Sequence, residues 1–205
     1  AEKIIRQHKA IPAFLGYKGF PFTMCASINE EVIHGLPSDR ELIEGDILSV
    51  DVGAIWEGWY SDTAITIPIG KVSQSALKLV SITEKALYSA IERSTCNKRL
   101  GDLSSIIQTC VEDNGFNVIR NYGGHGIGRE LHENPQILNY GKAKEGLMLK
   151  IGMIIAIEPM VTEKSSKNIR KGKWTVVTKD NGLSAHFEHT IAITEDGPEI
   201  LTKRG

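Results

Sequence analysis

Apolar residues recur at near-helical intervals between residues 74 and 94, where Leu77, Val80, Ile82, Ala86, Leu87, Ala90 and Ile91 gather on one side. The spacing predicts a helix there. A second helix fits residues 103–114, with Gly115 as its stop. Elsewhere the pattern changes to short runs rich in β-branched and apolar residues, which predict strands over 47–55, 60–69, 153–161, 174–178 and 187–194. Trp56, Glu57 and Gly58 separate the first two strands and read as the tip of a hairpin. The elements neither alternate strictly between strand and helix nor run as strands alone, so the expected class is α+β.

An internal repeat runs through this pattern. IIRQHKAIPAFLGYKGF from Ile4 resembles TCVEDNGFNVIRNYGGH from Thr109, with Tyr17 opposite Tyr122 and Gly19 opposite Gly124. His34 in HGLP matches His132 in HENP. GDILSVD, ending at Asp51, matches GMIIAIE, ending at Glu158, and DTAITI from Asp62 matches EHTIAI from Glu188. The four correspondences keep the same order and align acid with acid and histidine with histidine. They imply a single domain of two similar halves, about 1–72 and 73–205, related by a pseudo-twofold axis. The helix at 74–94 has no counterpart in the first half. By the repeat, roughly 35 residues belong before Ala1, and without them an apolar patch is expected to lie open on the first half.

Composition narrows the setting. The chain of 205 residues is long enough to bury a core unaided. Its three cysteines, Cys25, Cys96 and Cys110, are not spaced as a disulfide framework or a zinc finger, which points to a reducing compartment, the cytoplasm by default. No apolar run approaches the roughly 18 residues of a membrane span, and a formal charge of -1 offers no general attraction to nucleic acid. One local exception is the basic stretch of Lys164, Lys167, Arg170, Lys171 and Lys173, suited to an anionic surface such as ribosomal RNA.

The acids of the repeat carry the chemistry. Asp51 and Asp62 lie on adjacent strands, where their side chains share a sheet face at about 5–8 Å. Two carboxylates that close repel unless a proton or a cation lies between them. Glu158 sits inside the apolar run MIIAIEPMV, where an unpaired charge is expensive to bury, and Glu188 precedes the apolar TIAIT. Taken singly, each acid also suits an ordinary ion pair; the repeat is what joins them. His125 lies in YGGHGIGRELHENP, where Gly123, Gly124, Gly126 and Gly128 let the backbone approach a ligand closely. That run lacks the GK[ST] ending of a phosphate loop. Four carboxylates and an imidazole make an oxygen-rich set suited to a pair of Mn, Fe(II), Co or Zn ions.

The run SINEEVIHGLPSDRELIEGDILSVDVGAIWEGWYSDTAITIPIG, followed by GGHGIGRELHENP, GMIIAIEPMV and FEHTIAIT, resembles the type I methionine aminopeptidases over essentially the whole chain. The resemblance implies the pita-bread fold and hydrolysis of the first peptide bond of nascent polypeptides by a water activated between two divalent ions. It implies that Asp51 chelates one metal, Asp62 and Glu188 bridge both, and His125 and Glu158 complete the other. Glu158 then serves as proton acceptor, His132 stabilises the carbonyl oxygen, His34 contacts the amide nitrogen, and the substrate's α-amino group binds near Asp51. The same match assigns the methionine pocket to Tyr17, Phe20, Cys25, Leu131 and Trp174. Phe20 stands where bacterial members often have Tyr, and Leu131 where they often have Phe, which leaves the pocket's details open. Two other readings remain: an Xaa-Pro peptidase, usually larger and with glycine where this chain has Met160, and a binding module that has abandoned catalysis. The insertion expected of type II methionine aminopeptidases has no room between His132 and Glu158.

Overall fold

The computed structural model describes residues 1–203. Its centre is a nine-stranded antiparallel sheet in which Ile47–Trp56 pairs with Trp59–Pro68, followed by Glu188–Thr194, Ile154–Ile157, Gly123–Gly126 and Glu133–Leu138. The strands that carry Asp51, Asp62 and Glu188, and the one that leads into Glu158, therefore stand in the middle. The two aspartate strands lie on one side and the two glutamate strands on the other. Met24–Ile28 and Ile11–Pro12 flank Ile47–Trp56, and Gly197–Ile200 pairs with Glu188–Thr194.

The hairpin at the first strand pair is tighter than the sequence suggests. Trp56 still pairs with Trp59, so only Glu57 and Gly58 turn, with φ of 50° and 79°. Positive φ at both positions is the type I′ geometry, whose twist matches that of the strands it joins. Arg129 holds the turn from outside, donating to the carbonyls of Glu57 and Gly58 at 3.4 and 3.3 Å while its guanidinium lies 3.7 Å from the centre of the Trp59 ring.

The run expected as one strand over 153–161 divides into Ile154–Ile157 and Met160–Thr162. Pro159 has no N–H to give to a ladder, so the chain bends at Glu158-Pro159. The facing chain bends as well, between Ser184–His186 and Glu188–Thr194, with Met160 opposite His186 and Ile157 opposite His189. Both glutamates of the repeat thus sit at a paired bend.

The helix expected at 74–94 runs from Gln74 to Arg93. Ser73 caps it by accepting the Ala76 N–H at 3.1 Å. It turns Ala76, Leu79, Ala86, Leu87, Ala90 and Ile91 into the core. The second helix, Leu100–Glu112, starts earlier than its apolar spacing predicts because the Asp102 carboxylate accepts the Arg99 N–H at 2.8 Å and anchors the first turn. Leu79, Leu87, Leu103 and Ile107 pack with Ile155, Ile157, Ile191 and Ile193 of the sheet. Each such side chain contributes roughly 1.5–3 kcal/mol by leaving water, far more than helix propensity offers per residue.

Residues 1–72 hold one α-helix the apolar pattern does not reveal, Glu2–Gln7, none of whose residues is buried. Ile4, Ile11, Leu15, Trp56, Trp59 and Ile67 are exposed on this part of the chain. No helix among the described residues is long and apolar enough to cross a membrane.

Candidate metal centre

Register places the first pair of acids. Asp51 lies opposite Ala64 and Asp62 opposite Gly53, so the two aspartates are diagonal neighbours on one face, as the hairpin reading expected. The join between Trp59–Pro68 and Glu188–Thr194 has only two paired positions, Glu188 with Ala64 and His189 with Thr63. Threonine hydroxyls extend it. Thr190 accepts the Asp62 N–H at 3.0 Å and donates to the Asp62 carbonyl at 2.9 Å, and Thr63 donates to the Glu188 carbonyl at 2.9 Å. The backbones of both bridging candidates are therefore fixed to one another.

His125 is placed by its neighbours' backbones. A Cβ on Gly124 would stand 2.1 Å from the Ala156 carbonyl oxygen, and one on Gly126 would stand 2.3 Å from that of Asn134. Of the glycines expected to admit a ligand, Gly123, Gly124 and Gly126 instead admit the backbones of adjacent strands. His125 Nδ1 lies 2.9 Å from the Gly126 carbonyl. A carbonyl can only accept, so the proton sits on Nδ1 and Nε2 presents its lone pair. Nε2 stands 3.6 Å from Glu158 Oε1.

Asp51, Asp62, His125, Glu158 and Glu188 meet at the floor of a cleft of about 370 Å³. Asp62, His125 and Glu188 each bring a ligand atom within 4.8 Å of the others, and so do Glu158, His186 and Glu188. The buried Asp51 Oδ1, Asp62 Oδ1 and Glu188 Oε1 have no hydrogen-bond partner. A partnerless buried carboxylate oxygen is costly, and several of them facing one gap suit a multivalent cation. The residues present fit a divalent metal centre.

Electrostatics agree. Burial pushes Asp51 up to about 6, with the negative charge of Glu158 adding and His186 opposing. Burial, then the charge of Asp51, raises Asp62 well above the carboxylate range, and burial, then Asp62, does the same to Glu188. Burial also pushes Glu158 upward, but the imidazoles of His186, His125 and His34 outweigh it and leave Glu158 lowered.

The raised acids give a stability signature. Without metal, the unfolded chain ionises near pH 4 while folded Asp51 holds its proton to about 6. The stability from this protonation is complete below pH 4 and is lost as pH rises through 6. A cation reverses the preference by favouring the ionised form. Calorimetry in EDTA and in Mn²⁺ is expected to show melting temperatures that diverge as pH rises from 5 to 7.5; a constant gap would refute a metal site at these acids.

The two repeated histidines stand above the acids. His132 Nδ1 is 2.9 Å from the Tyr17 hydroxyl, with the rings stacked at 5.4 Å, and its ring centre is 4.3 Å from that of His125. His34 meets Tyr122 edge-on at 6.4 Å. Each half's tyrosine thus meets the other half's histidine. Burial, then His125, lowers His132 to about 4, and burial lowers His34; both rings are neutral near pH 7.

Tyr17, Phe20, Cys25, Leu131 and Trp174 line the same cleft. Phe20 meets the Trp174 ring edge-on at 5.3 Å, and both belong with Cys25 and Leu131 to a small apolar cluster separate from the main core. Every residue expected from the sequence in a metal, catalytic or pocket role lines the cleft. Four lining residues were not singled out for it: Phe14, Lys18, Arg170 and Lys173. His186, behind the floor, was missed altogether, although its two-residue offset from Glu188 on an extended run was a legible signal.

Metallopeptidase family M24 matches residues 1–195. A methionine aminopeptidase of Clostridium acetobutylicum is 50% identical over 204 residues, covering 98% of this chain and 82% of the relative. Methionine aminopeptidase 1 of Bacillus subtilis is 48% identical over 205 residues, covering 99% and 82%. The crystal structure of methionine aminopeptidase from Thermotoga maritima superposes with a TM-score of 0.97 at 50% identity, covering 98% and 82%. A prolidase from Pyrococcus furiosus shares the fold at a TM-score of 0.72 and 27% identity, but only 50% of that chain is covered. With its curled antiparallel sheet, its pita-bread fold and these relatives, the chain belongs to metallopeptidase family M24.

Proposed function

We propose that this protein is a methionine aminopeptidase that removes the N-terminal methionine from newly made polypeptides in the cytoplasm, working as one catalytic domain whose halves, 1–72 and 73–205, meet at the metal centre. The observation that carries this reading is the set of partnerless buried carboxylate oxygens on Asp51, Asp62 and Glu188 beneath an apolar cleft. Asp51 would chelate one ion, Asp62 and Glu188 would bridge, and His125 and Glu158 would hold the second. A bound pair of Mn, Fe(II), Co or Zn ions supplies an acidified water and a Lewis acid for the first peptide carbonyl.

The chain's own groups do the rest. Glu158, lowered by its imidazole neighbours, is ionised at neutral pH and takes the proton that must pass to the leaving amine. The Tyr17 hydroxyl lies 2.9 Å from His132 Nδ1. In the tautomer where it donates to that nitrogen, Nε2–H is left to donate to the carbonyl oxygen as negative charge develops there. His34, across the cleft, contacts the amide nitrogen. Phe20, Cys25, Leu131 and Trp174 surround an unbranched apolar side chain, and Asp51 lies where the free α-amino group docks. The exposed basic segment from Lys164 to Lys173 is the proposed contact with the ribosome surface.

The deciding experiment uses two peptides. Met-Ala-Ser is expected to release methionine in Mn²⁺ or Co²⁺ and to stop doing so in EDTA, while Ala-Pro stays intact. Efficient cleavage of Ala-Pro would overturn this substrate assignment in favour of an Xaa-Pro peptidase.

A further inference from the structure

We propose that His186 is a sixth protein ligand, giving the metal pair a second imidazole beside Glu158 and Glu188. The inference rests on the metal-centre reading above and adds a residue that none of the sequence motifs marked.

His186 is 2% exposed, and its Nε2 has no hydrogen-bond partner. That nitrogen faces Glu158 Oε2 at 3.6 Å and Glu188 Oε2 at 4.0 Å. Both distances exceed the roughly 3.2 Å limit of a good N–H···O bond. Both fall within the roughly 4.2 Å that separates two donors placed across one ion at bonds of about 2.1 Å. A cation between these three atoms satisfies all of them; a proton satisfies at most one contact and at poor length.

Glu158 makes the arrangement two-sided. Its Oε1 faces His125 Nε2 at 3.6 Å and its Oε2 faces His186 Nε2 at the same distance. The two triads of donors, one containing His125 and the other His186, share Glu188. His186 would then join the ion that His125 and Glu158 hold, with Glu188 in reach of both imidazoles. Nitrogen ligation shifts such a site toward Zn, Co and Fe and away from Mg or Ca.

The His186 backbone is held firmly enough to aim the ring. Its N–H donates to Thr66 Oγ1 at 2.8 Å, and that hydroxyl donates back to the His186 carbonyl at 2.8 Å. Thr66 has then used its proton, so Ser49, 2.8 Å away, donates to it. Asn139 holds the opposite wall by donating to the Glu158 carbonyl at 3.0 Å. The two sides of the gap are thus anchored independently of any ion.

Proton NMR of the full chain loaded with Co²⁺ tests this directly. Wild type is expected to show two strongly shifted, solvent-exchangeable imidazole N–H signals, of which His186→Gln loses one and His125→Gln the other. Titration should show the affinity for one of two Co²⁺ ions falling by about 10–100-fold in His186→Gln. Melting curves in EDTA establish that the variant folds, and His186→Asn serves if His186→Gln does not. One shifted signal that persists in His186→Gln and vanishes in His125→Gln would overturn the inference while leaving the five-ligand centre intact. Absence of stoichiometric Co²⁺ binding in wild type would overturn both.

Discussion

Glu188→Ala is expected to abolish methionine release, lowering kcat/KM for Met-Ala-Ser by at least about 10³-fold, the equivalent of roughly 4 kcal/mol of lost transition-state stabilisation. Glu188 belongs to both donor triads, so in the proposed two-ion centre its removal would take a ligand from each ion at once. The loss should not come from unfolding. In the metal-free protein Glu188 is a buried acid pushed upward by burial and by Asp62, so its carboxylate opposes folding at neutral pH rather than supporting it. The isosteric Glu188→Gln, which removes this repulsion without leaving a cavity, is expected to melt above wild type in EDTA and to gain nothing from Mn²⁺. Activity assays paired with melting curves in both buffers separate the two effects. A variant that keeps wild-type turnover would sink the assignment of Glu188 as a bridging ligand.

Gly124→Ala is expected to damage both fold and centre. Its Cβ would stand 2.1 Å from the Ala156 carbonyl oxygen, a backbone atom inside the sheet that cannot swing aside. Relief requires the strand Gly123–Gly126 to leave Ile154–Ile157, where His125 pairs with Ala156. Forced overpacking of this kind costs about 3 kcal/mol, or roughly 6–12 °C in melting temperature for a chain of this size. His125 would move with its strand, so Co²⁺ affinity should fall as well. Gly128→Ala in the same glycine run is the control. The nearest atoms to its Cβ would be those of the Glu133 carboxylate, at 3.0 Å, and that side chain can rotate away at the cost of its exposed hydrogen bond from the Glu130 N–H. Equal damage from both substitutions would mean that the close approach at Ala156 does not decide the position of His125.

These two positions show how differently parts of the site could be read in advance. Glu188 was legible because an acid at the start of an apolar strand needs a reason, and because Asp62 repeats the situation in the other half. Gly124 was legible as a constraint but not as to its cause. Flexibility beside a candidate ligand suggested access for a bound molecule, whereas the space is taken by the backbone of Ile154–Ile157. The identity of the close neighbour depends on which strand pairs with which, and local patterns do not carry that.

The crossed contacts of Tyr17 with His132 and of Tyr122 with His34 have the same origin. The repeat aligned tyrosine with tyrosine and histidine with histidine, but within one half these residues do not meet. They meet only because the halves face each other across the central strands.

By itself the sequence determined the presence and period of the main helices and strands, the α+β class, and a set of acids and histidines to look for, which the fold brings to one cleft. Those follow from local sterics, from the cost of burying charge and from repetition along one chain. Only the tertiary structure decided the pairing of the Glu158-Pro159 bend with the one between His186 and Glu188, the close approach that requires Gly124, and the separation of His186 from Glu158. Each of these depends on groups far apart in sequence being held at fixed separations by packing, and such separations have no signature in the order of residues along either half.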